Sequence, residues 1–214
     1  VKEDAKTFQQ FEKMLLTGQQ ANGLWKAMGQ LPTQKRPKEE TVAVSSMWAV
    51  LALRASGIDQ IAINASIESA LKGLATSENG LSTEWWVLRM LVDNHSNGDP
   101  QKNHWIAELI NRQNTNGGWA WITGDPSDAL ATGLALYGLH EAGVRPDNQS
   151  IRRAQRFLLA TQNANGSWSV NSTKAVNKTE PIPTSVFLGS SWATIGLLKT
   201  IPNQVLAATG QPIK

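Results

Sequence analysis

The chain contains no cysteine. That absence excludes disulfide cross-links, a thiolate nucleophile, an internal thioester and any zinc site that needs a thiolate, whatever the compartment. Charge is sparse too: 17% of the 214 residues are Asp, Glu, Lys or Arg, against about 25% in ordinary soluble domains. Twenty basic against 17 acidic residues leave a net charge of +3, which gives bulk electrostatics no pull toward nucleic acid. No apolar run approaches the ~18 residues of a membrane span, and the residues after Val1 carry no signal-peptide pattern. The three histidines, His95, His104 and His140, are scattered without ligand spacing, and no acidic calcium loop is present. No metal or other cofactor is therefore expected.

Against these shortages, 41% apolar residues suffice for a packed core, and nine tryptophans outnumber the four Phe and one Tyr. Several tryptophans sit in a repeat. QQANGLW (Gln19 to Trp25), QNTNGGW (Gln113 to Trp119) and QNANGSW (Gln162 to Trp168) share Gln, three residues, Gly, any residue, Trp, with Asn before the Gly. A degenerate copy, TSENGLS (Thr76 to Ser82), keeps Asn79-Gly80 but has Thr for the Gln and Ser for the Trp. The glycines at 23, 80, 117 and 166 have the spacing of helical-hairpin repeats. One domain over 1–214 is expected, with repeats of roughly 1–57, 58–98, 99–145 and 146–214.

A helix is predicted before each Asn-Gly, over 4–17, 66–75, 100–112 and 150–161, with Asp99-Pro100 and Asp147 as start signals. The Asn-Gly then fits a left-handed helix end. A second, more apolar helix follows over 40–55, 83–94, 127–141 and 185–199. In these second helices the six-residue runs starting at Trp48, Trp85, Ala131 and Trp192 stack in register. The first helices carry charge (Lys6, Glu12, Lys13, Glu68, Lys102, Arg152, Arg153), so they read as an outer, solvated layer around an inner, buried one. The loops from each Trp to its inner helix share one end, the natural place for a mouth. Lys35-Arg36-Pro37-Lys38, in the first of them, reads as a solvated loop rather than a phosphate patch. Asn-x-Ser/Thr triplets begin at Asn64, Asn94, Asn148, Asn165, Asn171 and Asn177, a number expected by chance in so Asn-rich a chain.

The Gln-x-x-x-Gly-x-Trp pattern resembles the QW repeat of the squalene-hopene and oxidosqualene cyclases, related to the prenyltransferase repeat. In the last copy Arg153, Phe157-Leu158 and Gln162 also occupy the positions of that family's longer motif. The resemblance implies an all-α fold of helical hairpins in two layers, an α/α toroid that closes with more hairpins than the four present here. A partial toroid, a piece of a longer polypeptide and closure by oligomerisation all remain open. Read physically, the Gln hydrogen-bonds a helix terminus and the Trp covers it, so Gln19, Gln113, Gln162, Trp25, Trp119 and Trp168 are expected to be structural. The family reading agrees.

The resemblance also implies where an acid should stand. Cyclising relatives protonate squalene with Asp-x-Asp-Asp at the start of an inner helix; the matching segment here is Asp125-Pro126-Ser127-Asp128, with Ser127 at the acid's position. A hydroxyl does not protonate an alkene. The plainer reading makes Asp125 or Ser127 a helix cap, with Pro126 in the first turn and Asp128 favoured by the helix dipole. Asp125 and Asp128 are catalytic candidates only if the chain is a terpene-cyclase-type enzyme. The prenyltransferase zinc site needs a Cys and is absent. Trp48, Trp85, Trp86 and Trp192 either fill the core or line an aromatic cavity for an apolar or cationic ligand.

The expectation is therefore a non-catalytic repeat module that binds a partner protein, a flanking domain of the same chain, or an apolar or isoprenoid ligand, with no nucleic-acid partner and no transmembrane segment. The alternative is a terpene-cyclase-type enzyme or a fragment of one. Lack of cysteine leans toward an extracytoplasmic, periplasmic bacterial setting.

Overall fold

The computed structural model describes residues 2–29, 33–56, 60–93, 100–175 and 180–201. His95, Asp99 and the triplets beginning at Asn94 and Asn177 lie outside them. The described residues form eight α-helices and, apart from isolated bridges, no strand. The fold is all-α, in repeated helical hairpins, with the eight helices close to the expected ranges; the Asn-Gly glycines, expected to cap the first helices, instead stand five or six residues beyond their ends, and Gly80 is not left-handed. No described helix is long and apolar enough to cross a membrane. Contacts divide the chain into two compact units, Val1–Leu81 and Ser82–Lys214.

The first unit holds α1 (Lys2–Gly18), α2 (Lys38–Ala55) and α3 (Gln60–Ala75), each packed on the other two. Helix α3 begins six residues before the expected Ser66, because Ile63 is buried and continues the stripe of Ala70 and Leu74. Ser66 is therefore inside the helix, where its hydroxyl donates to Gln19 Oε1 (2.8 Å). Two expected solvated charges are buried here. Glu12 turns inward to accept the Ser56 hydroxyl (2.6 Å) at the end of α2. Arg36, expected in a solvated loop, is buried with its Nε donating to Thr41 Oγ1 (3.3 Å).

The second unit holds α4 (Thr83–Val92), α5 (Pro100–Asn111), α6 (Ala129–Glu141), α7 (Gln149–Thr161) and α8 (Pro183–Thr200). Inner helix α6 packs between α4 and α8; α5 lies on α4, and α7 on α6 and α8. Burial follows the two layers. Helix α6 is buried nearly all round, whereas α7 buries Ile151, Ala154 and Leu158 and turns Arg152 and Arg156 to solvent. Lys102, on outer helix α5, is an exception and is buried. Small residues set the closest crossing: a Cβ on Gly133 would strike the backbone of Trp192 and Ala193, and one on Gly196 would lie 2.6 Å from the Gly133 carbonyl oxygen. Helix α8 buries only a stripe of Ser185, Gly189, Ala193, Gly196 and Thr200, and leaves Phe187, Leu188 and Leu198 exposed.

Candidate functional site

The three Gln-Trp copies share one geometry. Each Gln Nε2 donates to the carbonyl of the Gly four residues on, at 2.7 Å for Gln19, 2.8 Å for Gln113 and 2.9 Å for Gln162. Each indole Nε1 donates to a carbonyl ten residues back in the last turn of the outer helix: Trp25 to Leu15 (2.7 Å), Trp119 to Leu109 (2.8 Å) and Trp168 to Leu158 (2.8 Å). Carbonyls in the last turn of each outer helix, where intrahelical donors run out, are thereby engaged; that of Leu109 also accepts the Arg112 N–H (3.2 Å). Gly23, Gly117 and Gly166 take φ of 81°, 91° and 83°, the left-handed conformation only glycine adopts without strain.

A second set of partners escaped the sequence reading. The backbone N–H of each Trp donates to a hydroxyl on the inner helix: Trp25 to Ser46 (2.9 Å), Trp119 to Thr132 (2.9 Å) and Trp168 to Ser190 (3.0 Å). These hydroxyls fix the register of the inner helices. Ser46 and Ser190 stand two residues before Trp48 and Trp192, so the α6 residue matching those tryptophans is Leu134. The stack that began α6 at Ala131 is one turn out. The available signal was a hydroxyl in each inner helix, but its distance from the Trp varies as 21, 13 and 22 residues.

At the acid's position, Ser127 Oγ donates to Asn116 Oδ1 (2.8 Å) and accepts from Asn114 Nδ2 (2.9 Å), which ties it into the Asn-Gly turn. Asp128, rather than Asp125 or Ser127, is the N-cap of α6. Its Oδ1 accepts from the Ala131 N–H (2.8 Å) and its Oδ2 from the Trp121 N–H (2.7 Å). The helix starts there because the Asp128 backbone pairs with Trp119 in an isolated bridge, which holds it extended. Asp125 is exposed in the loop before it.

The four inner-helix tryptophans are not equivalent. Trp85 and Trp86 are buried and stack edge-to-face with centroids 4.9 Å apart; Trp105 of α5 joins them at 6.0 and 5.8 Å. The Arg112 guanidinium lies 3.4 Å above the Trp86 ring while its Nη1 donates to Glu108 Oε2 (2.7 Å). The chain thus supplies its own cation to that aromatic face. Trp48 and Trp192 are half-buried, Trp192 against Tyr137 at 5.5 Å.

Beside the N-terminus of α2 the first unit carries a groove of about 820 Å³, lined by Leu24, Lys38, Glu40, Glu78 and Leu81 among others and by no tryptophan. The Glu40 carboxylate accepts the Leu81 N–H (2.9 Å) at its edge. Among the described residues no three His, Asp or Glu side chains cluster as metal ligands would.

The family model of the squalene-hopene cyclase N-terminal domain matches residues 75–174. Over that stretch, just under half of the chain, the sequence is squalene-hopene-cyclase-like. The matched stretch runs from the degenerate Asn79-Gly80 copy through the Gln113 and Gln162 copies, so it includes the acid's segment and the Trp85–Trp86–Trp105 cluster. No curated protein matches the chain.

Proposed function

We propose that this squalene-hopene-cyclase-like chain is a non-catalytic helical-repeat module whose role is to bind another protein through apolar helix faces. The observation that carries this reading is the engagement of the acid's segment: Ser127 is bound to two Asn side chains, and both oxygens of Asp128 accept backbone N–H groups. Protonating an alkene needs a strong acid with a transferable proton held toward the substrate. A proton on Asp128 would displace one of two N–H donors at a helix start. The binding half rests on Phe8, Phe11 and Met14 of α1 and Phe187 and Leu198 of α8, all largely exposed; contiguous exposed apolar surface marks interaction sites.

The family match favours a second reading, a terpene-cyclase-type enzyme with Asp128 as acid. The two separate in one experiment. Incubated with squalene and with isoprenoid diphosphates, the protein yields no cyclised product by mass spectrometry; a time-dependent product lost in Asp128→Asn would overturn the non-catalytic reading. An apolar ligand without turnover would be met by Trp48 and Trp192, the two of the four tryptophans that are half-buried rather than buried, as a saturable change in fluorescence.

A further inference from the structure

The Gln-Trp turn occurs three times, and two copies differ from the third in one respect. Besides its own Gly carbonyl, Gln19 Nε2 donates to the Ser66 carbonyl of α3 (2.8 Å), and Gln113 Nε2 donates to the Ser150 carbonyl of α7 (2.8 Å). In both, the outer helix of the following repeat crosses directly over the turn. A Cβ on Gly23 would strike the Ser69 carbonyl, and one on Gly117 would lie 2.7 Å from the Arg153 carbonyl oxygen, so the residue three after the hydroxyl-bearing Ser rests on the glycine each time. Both glycines are buried.

The last copy is built the same way, but among the described residues no helix lies on it. Gly166 is exposed, and among the described residues the only atom within 4 Å of where its Cβ would stand is Nε2 of its own Gln162, at 4.0 Å. Gln162 is exposed where Gln19 and Gln113 are half-buried. The aliphatic residue three before the Gln follows suit: Leu16 and Ile110 are half-buried, Leu159 is 64% exposed.

The complementary half is at the other end of the chain. In α7 the face laid on the preceding turn is Ser150, Arg153 and Phe157, the last 2.9 Å from a Cβ on Gly118. Counting back from the Gln puts Thr7, Gln10 and Met14 of α1 at those positions. Gln10 is exposed and Met14 is 66% exposed, with Phe11 beside it.

We propose that the Gln162–Gly166 turn of one copy receives helix α1 of a second copy, with the Gln162 amide donating to the main-chain carbonyl at position 7 and Met14 taking the place of Phe157. The contact is heterologous, joining unlike surfaces head to tail. It rests on the protein-binding reading above and names the partner.

Sedimentation velocity over a concentration series tests it on the 214-residue chain. The wild type associates with concentration. Met14→Glu blocks the head and Leu159→Glu the tail; both side chains are largely exposed, so neither change disturbs the fold, and circular dichroism verifies this. Each variant alone associates at least about tenfold more weakly than wild type. Mixed in equal amounts they form a dimer and nothing larger, because one good head meets one good tail. A wild type that stays monomeric overturns the proposal, as does association indifferent to both changes, or lost in both and not restored on mixing, which marks a self-complementary interface. Burial of the Gln162 amide in a monomer, lost on truncation after Ile201, overturns it in favour of the chain's own residues 202–214. Turnover of an isoprenoid would sink the non-catalytic reading and leave these sedimentation results untouched.

Discussion

Replacing Trp168 by Ala removes the more deeply buried of the two tryptophans of the last repeat, and its cost is composed of separable parts. The indole is 3% exposed, so truncation leaves a cavity in the interior, and large aromatic truncations in cores cost about 3–5 kcal/mol. Part of that is polar. Trp168 Nε1 donates to the Leu158 carbonyl in the last turn of α7 at 2.8 Å, where the Thr161 hydroxyl supplies only a longer bond of 3.4 Å, and losing the shorter one costs about 1 kcal/mol. Trp168→Phe loses the N–H together with part of the ring system, so its cost, about 1 kcal/mol or more, bounds the polar part from above. At roughly 2–4 °C per kcal/mol for a chain of this size, Trp168→Ala should melt about 6–20 °C lower. Urea titration followed by circular dichroism and by fluorescence provides the free energies. If Trp168→Ala falls within about 0.5 kcal/mol of wild type, the range of surface changes, the indole does not hold the end of α7. If Trp168→Phe costs as much as the Ala change, the hydrogen bond has been undervalued and the packing overvalued.

The two glycine turns should respond unequally to Ala. Gly117→Ala meets both a left-handed backbone and the Arg153 carbonyl, Gly166→Ala the backbone alone, so the first should destabilise by at least about 1 kcal/mol more in urea midpoints; equal effects would mean that α7 does not lie on the turn. Thr132→Val, at a fully buried position, removes the acceptor of the Trp119 N–H and should cost about 1–3 kcal/mol. Thr132→Ser keeps the hydroxyl and should recover most of it. Tyr137 is the single tyrosine, and burial, reinforced by the Glu141 charge and opposed by Lys199, raises its phenol above the ordinary 10.0. Its neutral form is favoured in the fold, so the stabilisation is complete below pH 10 and is lost as pH rises through the folded value. Lys199, raised above its ordinary 10.5 by its hydrogen bond to Glu141, loses its contribution in the same alkaline direction. Tyrosinate absorbance of the native protein should therefore rise with a midpoint above 10; a midpoint at or below 10 would contradict the burial of the Tyr137 phenol.

The sequence by itself determined where the Gln-Trp turns fall, although the Gln, expected at a helix terminus, bonds the Gly of its own turn while the indole takes the helix-end carbonyl. The Gln-to-Gly bond spans four residues and the indole-to-carbonyl bond ten, so the spacing of Gln19, Gly23 and Trp25 encodes their geometry wherever the motif recurs. Helix positions followed for the same reason, since an Asn-Gly stop and a 3.6-residue apolar stripe are local signals. Only the tertiary structure decided which hydroxyl meets each Trp and which outer helix crosses each turn. Those partners stand 13 to 47 residues away, at separations set by loops of unequal length. The same holds for the tryptophans. Nothing in the inner-helix pattern marks Trp86, yet Arg112, from the end of the neighbouring outer helix, covers its face. The Asp128 cap depends on Trp119 and Trp121 holding the strand-like approach to α6, which no helix-start rule contains. A local pattern fixes what one turn can do; whether that turn is covered, as at Gly117, or open, as at Gly166, depends on which element the rest of the chain brings to it.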